Sequence, residues 1–226
     1  EFLTDLPRIF GAMDQPSIDG INTWYASKAV KELDLKVVLS GVGGDELFQG
    51  YESFDEIPRL VSRLSTLMRV PGAGMSASFA GALQAWRTGN QRWRYAGQWA
   101  RTLPGAWWLR RSVHAPGELP ALMGAAEAQE ALKNFGADAW TLRMSGRLPS
   151  DPRLALGQIE STVYLRNQLL RDSDWASMDH SIELRTPLVD AWLLSDLRSV
   201  LPAFVRFPKK APLAGAPKNK LPELVT

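Results

Sequence analysis

A glycine-rich stretch followed at once by two carboxylates is the clearest candidate for chemistry in this sequence. Glycines let backbone N–H groups approach an anion closely, and a carboxylate can stand beside a phosphate when a divalent cation lies between them. One interpretation is a phosphate-binding loop with Mg²⁺ on Asp45, and the other is a tight turn in which Asp45 caps a helix. The stretch is Ser40-Gly41-Val42-Gly43-Gly44-Asp45-Glu46.

A second polar stretch, Asp172–Asp190, lies between two apolar segments. Polar residues in such a place either face water or satisfy one another. One interpretation is a solvated loop with helix caps at Asp172 and Asp190. A lone histidine is more often structural than catalytic, so we interpret His180 as a hydrogen-bonded structural residue.

Basic residues are concentrated in two further places. The segment from Ile57 to Gly117 has nine arginines, several tryptophans and no acidic residue, which favours a helical region with a tryptophan core and a solvated arginine face. The alternative is a surface for nucleic acid, anionic lipid or a phosphorylated substrate. The tail from Arg206 to Lys220 also has no acidic residue, and it is either a mobile end or the source of a lysine that reaches polyphosphate.

The pattern around the glycine stretch predicts a helix and a strand that belong to an α/β fold. Residues 22–34 have helical spacing with Asn22 as N-cap, and Val37-Val38-Leu39 then predicts a parallel strand buried on both faces. The glycines would lie at the carboxyl end of this strand, where such folds bind ligands. We find no second strand. The remainder predicts helices, with one capped by Asp55 and others near residues 76–87, 90–102, 125–144, 152–170 and 190–200.

Composition narrows the class of protein. The chain has 226 residues, of which 45% are hydrophobic and 22% charged, as in an ordinary globular domain. The absence of cysteine excludes disulfides, zinc–thiolate sites and a cysteine nucleophile. No apolar run is long enough to span a bilayer, and the N-terminus does not resemble a signal peptide. We expect a cytoplasmic protein with no membrane partner and no nucleic-acid partner.

The two long motifs together resemble one family. Ser-Gly-x-Gly-Gly-Asp-Glu-Leu-Phe-x-Gly-Tyr at 40–51, followed by helices and then Asp-x-Ala-Ser-Met-x-His-Ser-Ile-Glu-Leu-Arg-x-Pro-Leu-Val-Asp at 174–190, is similar to the synthetase domain of glutamine-hydrolysing asparagine synthetases and their asparagine-synthase-like relatives. Met13-Asp14-Gln15-Pro16 resembles the family's Met/Leu-Asp-Glu-Pro, with Gln15 for the usual Glu.

This resemblance implies a reaction and its cofactors. Family members use ATP and Mg²⁺ to adenylate a carboxylate, and ammonia from an N-terminal glutaminase domain then displaces AMP. It implies that Ser40 to Glu46 bind ATP and pyrophosphate, that Asp45 binds the metal and that Lys210, or less well Lys209, contacts the reacting phosphate. We expect the backbone of Ser40 and Gly41 near a bound anion, and Asp172–Asp190 folded back on the glycines. Glu183 and Arg185 should be buried there and paired.

Two departures from the family pattern qualify the expected activity. The pyrophosphate loop Ser-Gly-Gly-x-Asp-Ser is absent, which indicates a chain that begins after it and is inactive alone. The position after Ser40-Gly41, commonly Glu or Asp in asparagine synthetases, is Val42 and cannot take a proton. The acceptor is therefore aspartate or another carboxylate. A non-catalytic scaffold derived from the family is a further alternative.

The expected architecture follows from these observations. The fold class is α/β, mostly helical, and resembles part of an ATP pyrophosphatase domain without its first strands. Residues 1–226 would be the C-terminal part of an asparagine synthase domain, with a nucleotide-site segment at 1–54 and a helical region at 55–226. We expect either self-association through the edge of the predicted strand, as in a homodimer, or a compact helical body that covers it.

Overall fold

The structure is a computed structural model, and it describes residues 1–67, 81, 83–85, 87–204, 207 and 211–218. These residues form two compact units, one made of Glu1–Gly50 with the chain from Glu160 onward, and the other of Tyr51–Ile159. Most of the described chain is helical and there is one small parallel sheet, which confirms the predicted class of a mostly helical α/β fold.

The first unit contains helices before, between and after the two strands of a small sheet. Its principal elements are α1 (Phe2–Ala12), α2 (Gly20–Glu32), β1 (Val37–Leu39), α3 (Gly44–Phe48), a π-helix (Glu160–Leu169), a helix at Leu170–Met178, β2 (Glu183–Arg185), a 3-10 turn (Pro187–Val189) and three short helices (Ala191–Leu197, Leu201–Phe204, Ala211–Ala214).

The sheet of this unit has two parallel strands, so the expectation of a single strand was wrong. β1 and β2 pair in register, with Val37 opposite Glu183, Val38 opposite Leu184 and Leu39 opposite Arg185. β2 was missed because Glu-Leu-Arg has one apolar residue and gives no apolar run for a buried strand.

The expectation that β1 is buried on both faces was also wrong. Val37 and Leu39 point to one face and are 43% and 71% exposed, whereas Val38 points to the other face and is partly buried. In the described part of the chain the sheet has two strands, and one of its faces is partly buried while the other meets solvent.

Trp24 of α2 and Trp175 form one buried hydrophobic cluster of the first unit, together with Ile9 of α1 and Ala176. A side chain at Gly20 would collide with the Trp175 indole, so α2 begins with the small residue that lets the two helices meet. The predicted helix at 22–34 is therefore confirmed in type but starts earlier. Asn22 lies inside α2 and is not its N-cap.

The second unit is helical throughout its described residues. Its elements are a helix at Ser53–Leu67, a 3-10 turn (Gln91–Tyr95), helices at Ala96–Trp99 and Leu103–Arg111, a 3-10 turn (Pro116–Glu118) and helices at Leu119–Met123, Ala125–Asn134, Ala137–Ser145 and Pro152–Ile159. Phe54, Ile57, Trp107 and Leu156 are buried, which confirms a core containing tryptophan.

Candidate functional site

The glycine stretch lies where the sequence predicts it. Residues 40–43, which we call the glycine loop, connect the carboxyl end of β1 to the start of α3. The Ser40 N–H donates to the Arg185 carbonyl oxygen at 2.8 Å and so extends the ladder between the strands by one bond. Asp45 is the second residue of α3 and lies at the carboxyl end of the strand, as expected.

Gly43 and Gly44 have structural reasons to be glycine. Gly43 has a φ of +93°, which favours glycine, and a side chain there would collide with Val189. A side chain at Gly44 would come within 3.0 Å of Leu188. The loop is thus packed against the 3-10 turn that follows β2, and the expected folding of the Asp172–Asp190 motif onto the loop is confirmed.

Gly41 differs from these two glycines. A side chain there would meet no atom of the described residues within 4 Å, so packing in the described part of the chain does not explain the glycine. Within the described part of the chain, the N–H groups of Gly41 and Gly43 donate no hydrogen bond. The Ser40 N–H, in contrast, is already used by Arg185. Gly41 therefore fits an anion that comes close to the backbone better than Ser40 does.

The two carboxylates after the loop have different surroundings. Asp45 is partly exposed, whereas Glu46 is 4% exposed. A partly exposed carboxylate that follows unused N–H groups within four residues fits a cation that bridges it to phosphate oxygens, with those oxygens and water as further ligands. Among the described residues no group of three acidic, histidine or cysteine side chains could hold a metal.

Glu183 and Arg185 were expected to be buried, and this was wrong. They are paired as expected, since Arg185 Nε donates to Glu183 Oε1 at 2.8 Å and this bond raises the pKa of Arg185. Their side chains are 58% and 60% exposed, however. Residues two apart on a strand share a face, and opposite Val37 and Leu39 this is the solvent face of the sheet.

Two further carboxylates of the polar motif have structural roles. Asp172 is buried and accepts from Ser17 Oγ at 2.5 Å and Trp175 Nε1 at 3.0 Å, so it is not a helix cap. Asp190 is a cap, as expected, and accepts from two backbone N–H groups at 2.9 Å.

Asp179 and His180 lie against Trp24, a contact that the sequence analysis missed. Asp179 accepts from Trp24 Nε1 at 2.6 Å and from Arg8 Nε at 2.8 Å. His180 is buried, and its ring centre lies 4.5 Å from that of Trp24. Burial, aided by the positive charge of Arg8, lowers the pKa of His180. The expectation of a hydrogen-bonded histidine was wrong, because Nε2 of His180 is buried and has no hydrogen-bond partner among the described residues. Its packing against Trp24 is what gives the ring a structural role.

The Met13–Pro16 motif also contacts the second half of this unit. Gln15 Nε2 donates to the Asn167 carbonyl oxygen at 2.8 Å, and Asp14 pairs with Arg171 at 2.6 Å. Lys210 and Lys209 lie outside the described residues. Among the helices that are described, none is both long and apolar enough to cross a membrane.

Comparison with curated proteins and comparison with protein families give consistent results. The curated relatives include proteins of Mycobacterium bovis and Mycobacterium tuberculosis, each named "Putative asparagine synthetase (glutamine-hydrolyzing)", which are 28% identical to this chain over 222 residues. The alignment covers 90% of this chain and 30% of each relative, so the chain spans about 30% of their length. No solved structure gives a significant match.

The match to a family covers nearly the whole chain, from residue 1 to residue 211. It includes β1, the glycine loop, Asp45 and the motif that packs on them, which are the features that the structure brings together at one edge of the sheet. The chain belongs to the asparagine synthase family.

Proposed function

We propose that this chain supplies part of the ATP and Mg²⁺ site of a ligase that forms an amide from a carboxylate. Membership of the asparagine synthase family supports ATP-dependent amidation, and the relatives' names point the same way. The observation that carries the proposal is the position of Gly41 and Asp45. An open glycine with an unused N–H and a partly exposed carboxylate lie at the carboxyl end of β1.

Each residue of the loop has a proposed part in holding the nucleotide. The Gly41 N–H would donate to a phosphate oxygen, and Asp45 would hold Mg²⁺. Bound ATP supplies the adenylyl group that activates the carboxylate. By holding the metal beside the pyrophosphate, the loop would stabilise the charge that develops there, which is an electrostatic contribution. Glu46 is buried, so we propose that its side chain stabilises α3 and does not contact the ligand.

Val42 leaves the acceptor open. Its side chain is partly buried and has no group that takes a proton or binds an ammonium. The acceptor is therefore aspartate or another carboxylate, such as a sugar acid or a peptide carboxylate. In the longer protein that we propose, a glutaminase domain would supply ammonia, and Lys210 would contact the reacting phosphate.

The substrate is best found with the full-length protein. We would incubate it with MgATP, glutamine and a panel of carboxylates, and measure AMP and pyrophosphate. The proposal predicts one pyrophosphate for each AMP, formed only when an accepted carboxylate is present. Production of AMP with aspartate alone would identify an asparagine synthetase. No AMP with any carboxylate, from a protein that folds, would favour the non-catalytic scaffold.

A further inference from the structure

Four of the nine arginines of the acid-free segment line a cleft in the second unit. The cleft has a volume of about 540 Å³ and is formed by the helix at Ser53–Leu67, the 3-10 turn at Gln91–Tyr95 and the helix at Leu103–Arg111. Such a volume suits a ligand of a few residues or a mid-sized organic molecule. This site belongs to the second unit alone and does not depend on the function proposed for the glycine loop.

The lining of this arginine cleft combines positive charge with an apolar wall. Four arginines and one acidic residue, Glu56, line it, so positive groups exceed negative ones by three. Ile57, Ala106 and Leu109 are buried and give the wall its aliphatic character, with Leu60 and Trp93 beside them. The arginines are Arg59, Arg63, Arg92 and Arg110.

Neutral groups hold Arg92 in place without cancelling its charge. Its Nη1 donates to the Ser112 carbonyl oxygen at 2.7 Å and to the Arg110 carbonyl oxygen at 3.3 Å, and its Nε donates to Asn90 Oδ1 at 3.1 Å. Arg110 pairs with Glu56 at 3.1 Å, but both side chains are more than half exposed and such a pair is weak.

Arg59 and Arg63 lie one helical turn apart on the same face of the helix at Ser53–Leu67. In the part of the chain that the structure describes, neither makes an ion pair or a hydrogen bond. Like charges one turn apart are mildly destabilising in an isolated helix. Both side chains are exposed, so this repulsion is weak, and their guanidinium groups remain available to an anionic ligand at the cleft.

We propose that the arginine cleft binds an acidic peptide segment, with two carboxylates on Arg59, Arg63 and Arg92 and a leucine-sized side chain on the apolar wall. A guanidinium group matches the geometry of a carboxylate. Several guanidinium groups that lie apart therefore suit a ligand with several carboxylates. A concave aliphatic wall suits one buried side chain, whereas nucleic-acid binding uses exposed aromatic platforms for base stacking.

Fluorescence anisotropy of the whole chain with the labelled peptide Gly-Asp-Leu-Glu-Leu-Gly tests this directly. We expect saturable binding that weakens between about 50 and 500 mM salt, because the contacts are charged. Two control peptides separate the contributions. Replacement of Asp and Glu by Asn and Gln, or of both Leu by Gly, should each weaken binding by about tenfold or more.

Two charge-matched double variants locate the site. Arg59→Gln with Arg63→Gln should weaken peptide binding by about tenfold or more, since each removes a charge-assisted contact. Arg94→Gln with Arg143→Gln removes the same net charge from exposed arginines that do not line the cleft, and it should change binding by less than about twofold, the screened effect of distant charge. Far-ultraviolet circular dichroism shows whether both variants fold.

Three results would overturn the proposal. Equal loss in the two double variants would show that net charge alone attracts the peptide. Unchanged binding in the Arg59 and Arg63 variant would place the peptide elsewhere. Stronger competition by a short single-stranded oligonucleotide or by inorganic phosphate than by unlabelled peptide would assign the cleft to another class of ligand.

Discussion

At the scale of single residues, the glycines of the loop have separate reasons for being glycine. Gly43 has a left-handed backbone and no room beside Val189, whereas a side chain at Gly41 would contact none of the residues that the structure describes. The sequence predicted a glycine loop but left the turn and the phosphate interpretations open. The structure supports a different interpretation for each residue. The turn explains why residue 43 is glycine, whereas contacts in the described part of the chain do not explain why residue 41 is glycine.

Alanine substitutions should separate these reasons. Gly43→Ala should lower the free energy of unfolding by about 1–3 kcal/mol, because alanine must adopt a positive φ and displace Val189. Gly41→Ala should stay within about 0.5 kcal/mol, as at most surface positions. Urea unfolding of the 226-residue chain measures both. A large loss at Gly41 would reveal a structural role that the geometry does not show.

Arg185 should contribute less to stability than a buried and paired arginine, which is what the sequence analysis expected. Because its pair with Glu183 is exposed, Arg185→Leu should leave the free energy of unfolding unchanged in urea. Asp172→Ala provides the contrast, since it leaves the buried Trp175 N–H without an acceptor and should cost about 1–3 kcal/mol. A marked loss in the Arg185 variant would contradict an exposed position.

His180 should make stability depend on pH. Its pKa in the folded chain lies below 6.5, so the unfolded chain binds more protons and stability increases with pH between the two pKa values. The contribution is complete above about pH 6.5 and is lost as the pH falls through the folded pKa. Urea unfolding at about pH 7.5 and 5.5 should show this decline, and His180→Gln should reduce it. His114→Gln, at an exposed histidine, is the control and should keep the full decline.

At the scale of elements, local pattern predicted β1 but not β2. Three consecutive apolar residues are sufficient to predict β1, whereas Glu183–Arg185 is a strand because its backbone pairs with a segment far away in sequence. That pairing also sets which face meets solvent. A one-residue shift would exchange the faces, so exposure of Glu183 and Arg185 follows from register rather than from residue type.

The predicted helix at 125–144 is a second case in which local pattern does not predict the structure fully. The structure divides it into Ala125–Asn134 and Ala137–Ser145. The break lets Phe135 and Trp140 both reach Trp108, with ring centres 5.2 and 5.6 Å away. An aromatic cluster of this kind stabilises the packed form beyond area burial, and helical periodicity alone does not reveal it.

The edge of β1 that does not pair with β2 should promote self-association of this chain, as the sequence analysis predicts. Leu39→Lys should reduce association in sedimentation velocity, because a lysine on a strand disfavours pairing with another sheet. Leu33→Lys is a matched control, since Leu33 is 72% exposed against 71% for Leu39 but lies at the end of α2. An equal decrease in both variants would show a general effect of charge.

At the scale of the whole molecule, the compact units do not follow the order of the sequence. The chain from Glu160 onward packs with the first 50 residues, and Tyr51–Ile159 forms the other unit. Sequence order alone does not predict a discontinuous unit, because the pairing of β1 with β2 joins distant segments. The division of the family domain into 1–54 and 55–226 stays a prediction about the sequence.

The 226-residue chain by itself should bind MgATP weakly or not at all. The pyrophosphate loop of the family motif does not occur in it, and the remaining donors must be ordered without that partner. Calorimetric titration with MgATP is the measurement. Micromolar binding would show that the glycine loop is a complete phosphate site.

The most direct test of the central claim, that the glycine loop and Asp45 hold the metal and phosphates of ATP, is the effect of Asp45→Asn on AMP formation. In the full-length protein with its accepted carboxylate, this variant should lower kcat/KM for ATP by about 100-fold or more, because the charge that holds Mg²⁺ is lost. Asp34→Asn, at an exposed carboxylate outside the loop, should retain wild-type kcat/KM. If Asp45→Asn, correctly folded, also retained it, the glycine loop would be a structural turn and the proposed nucleotide site would be wrong.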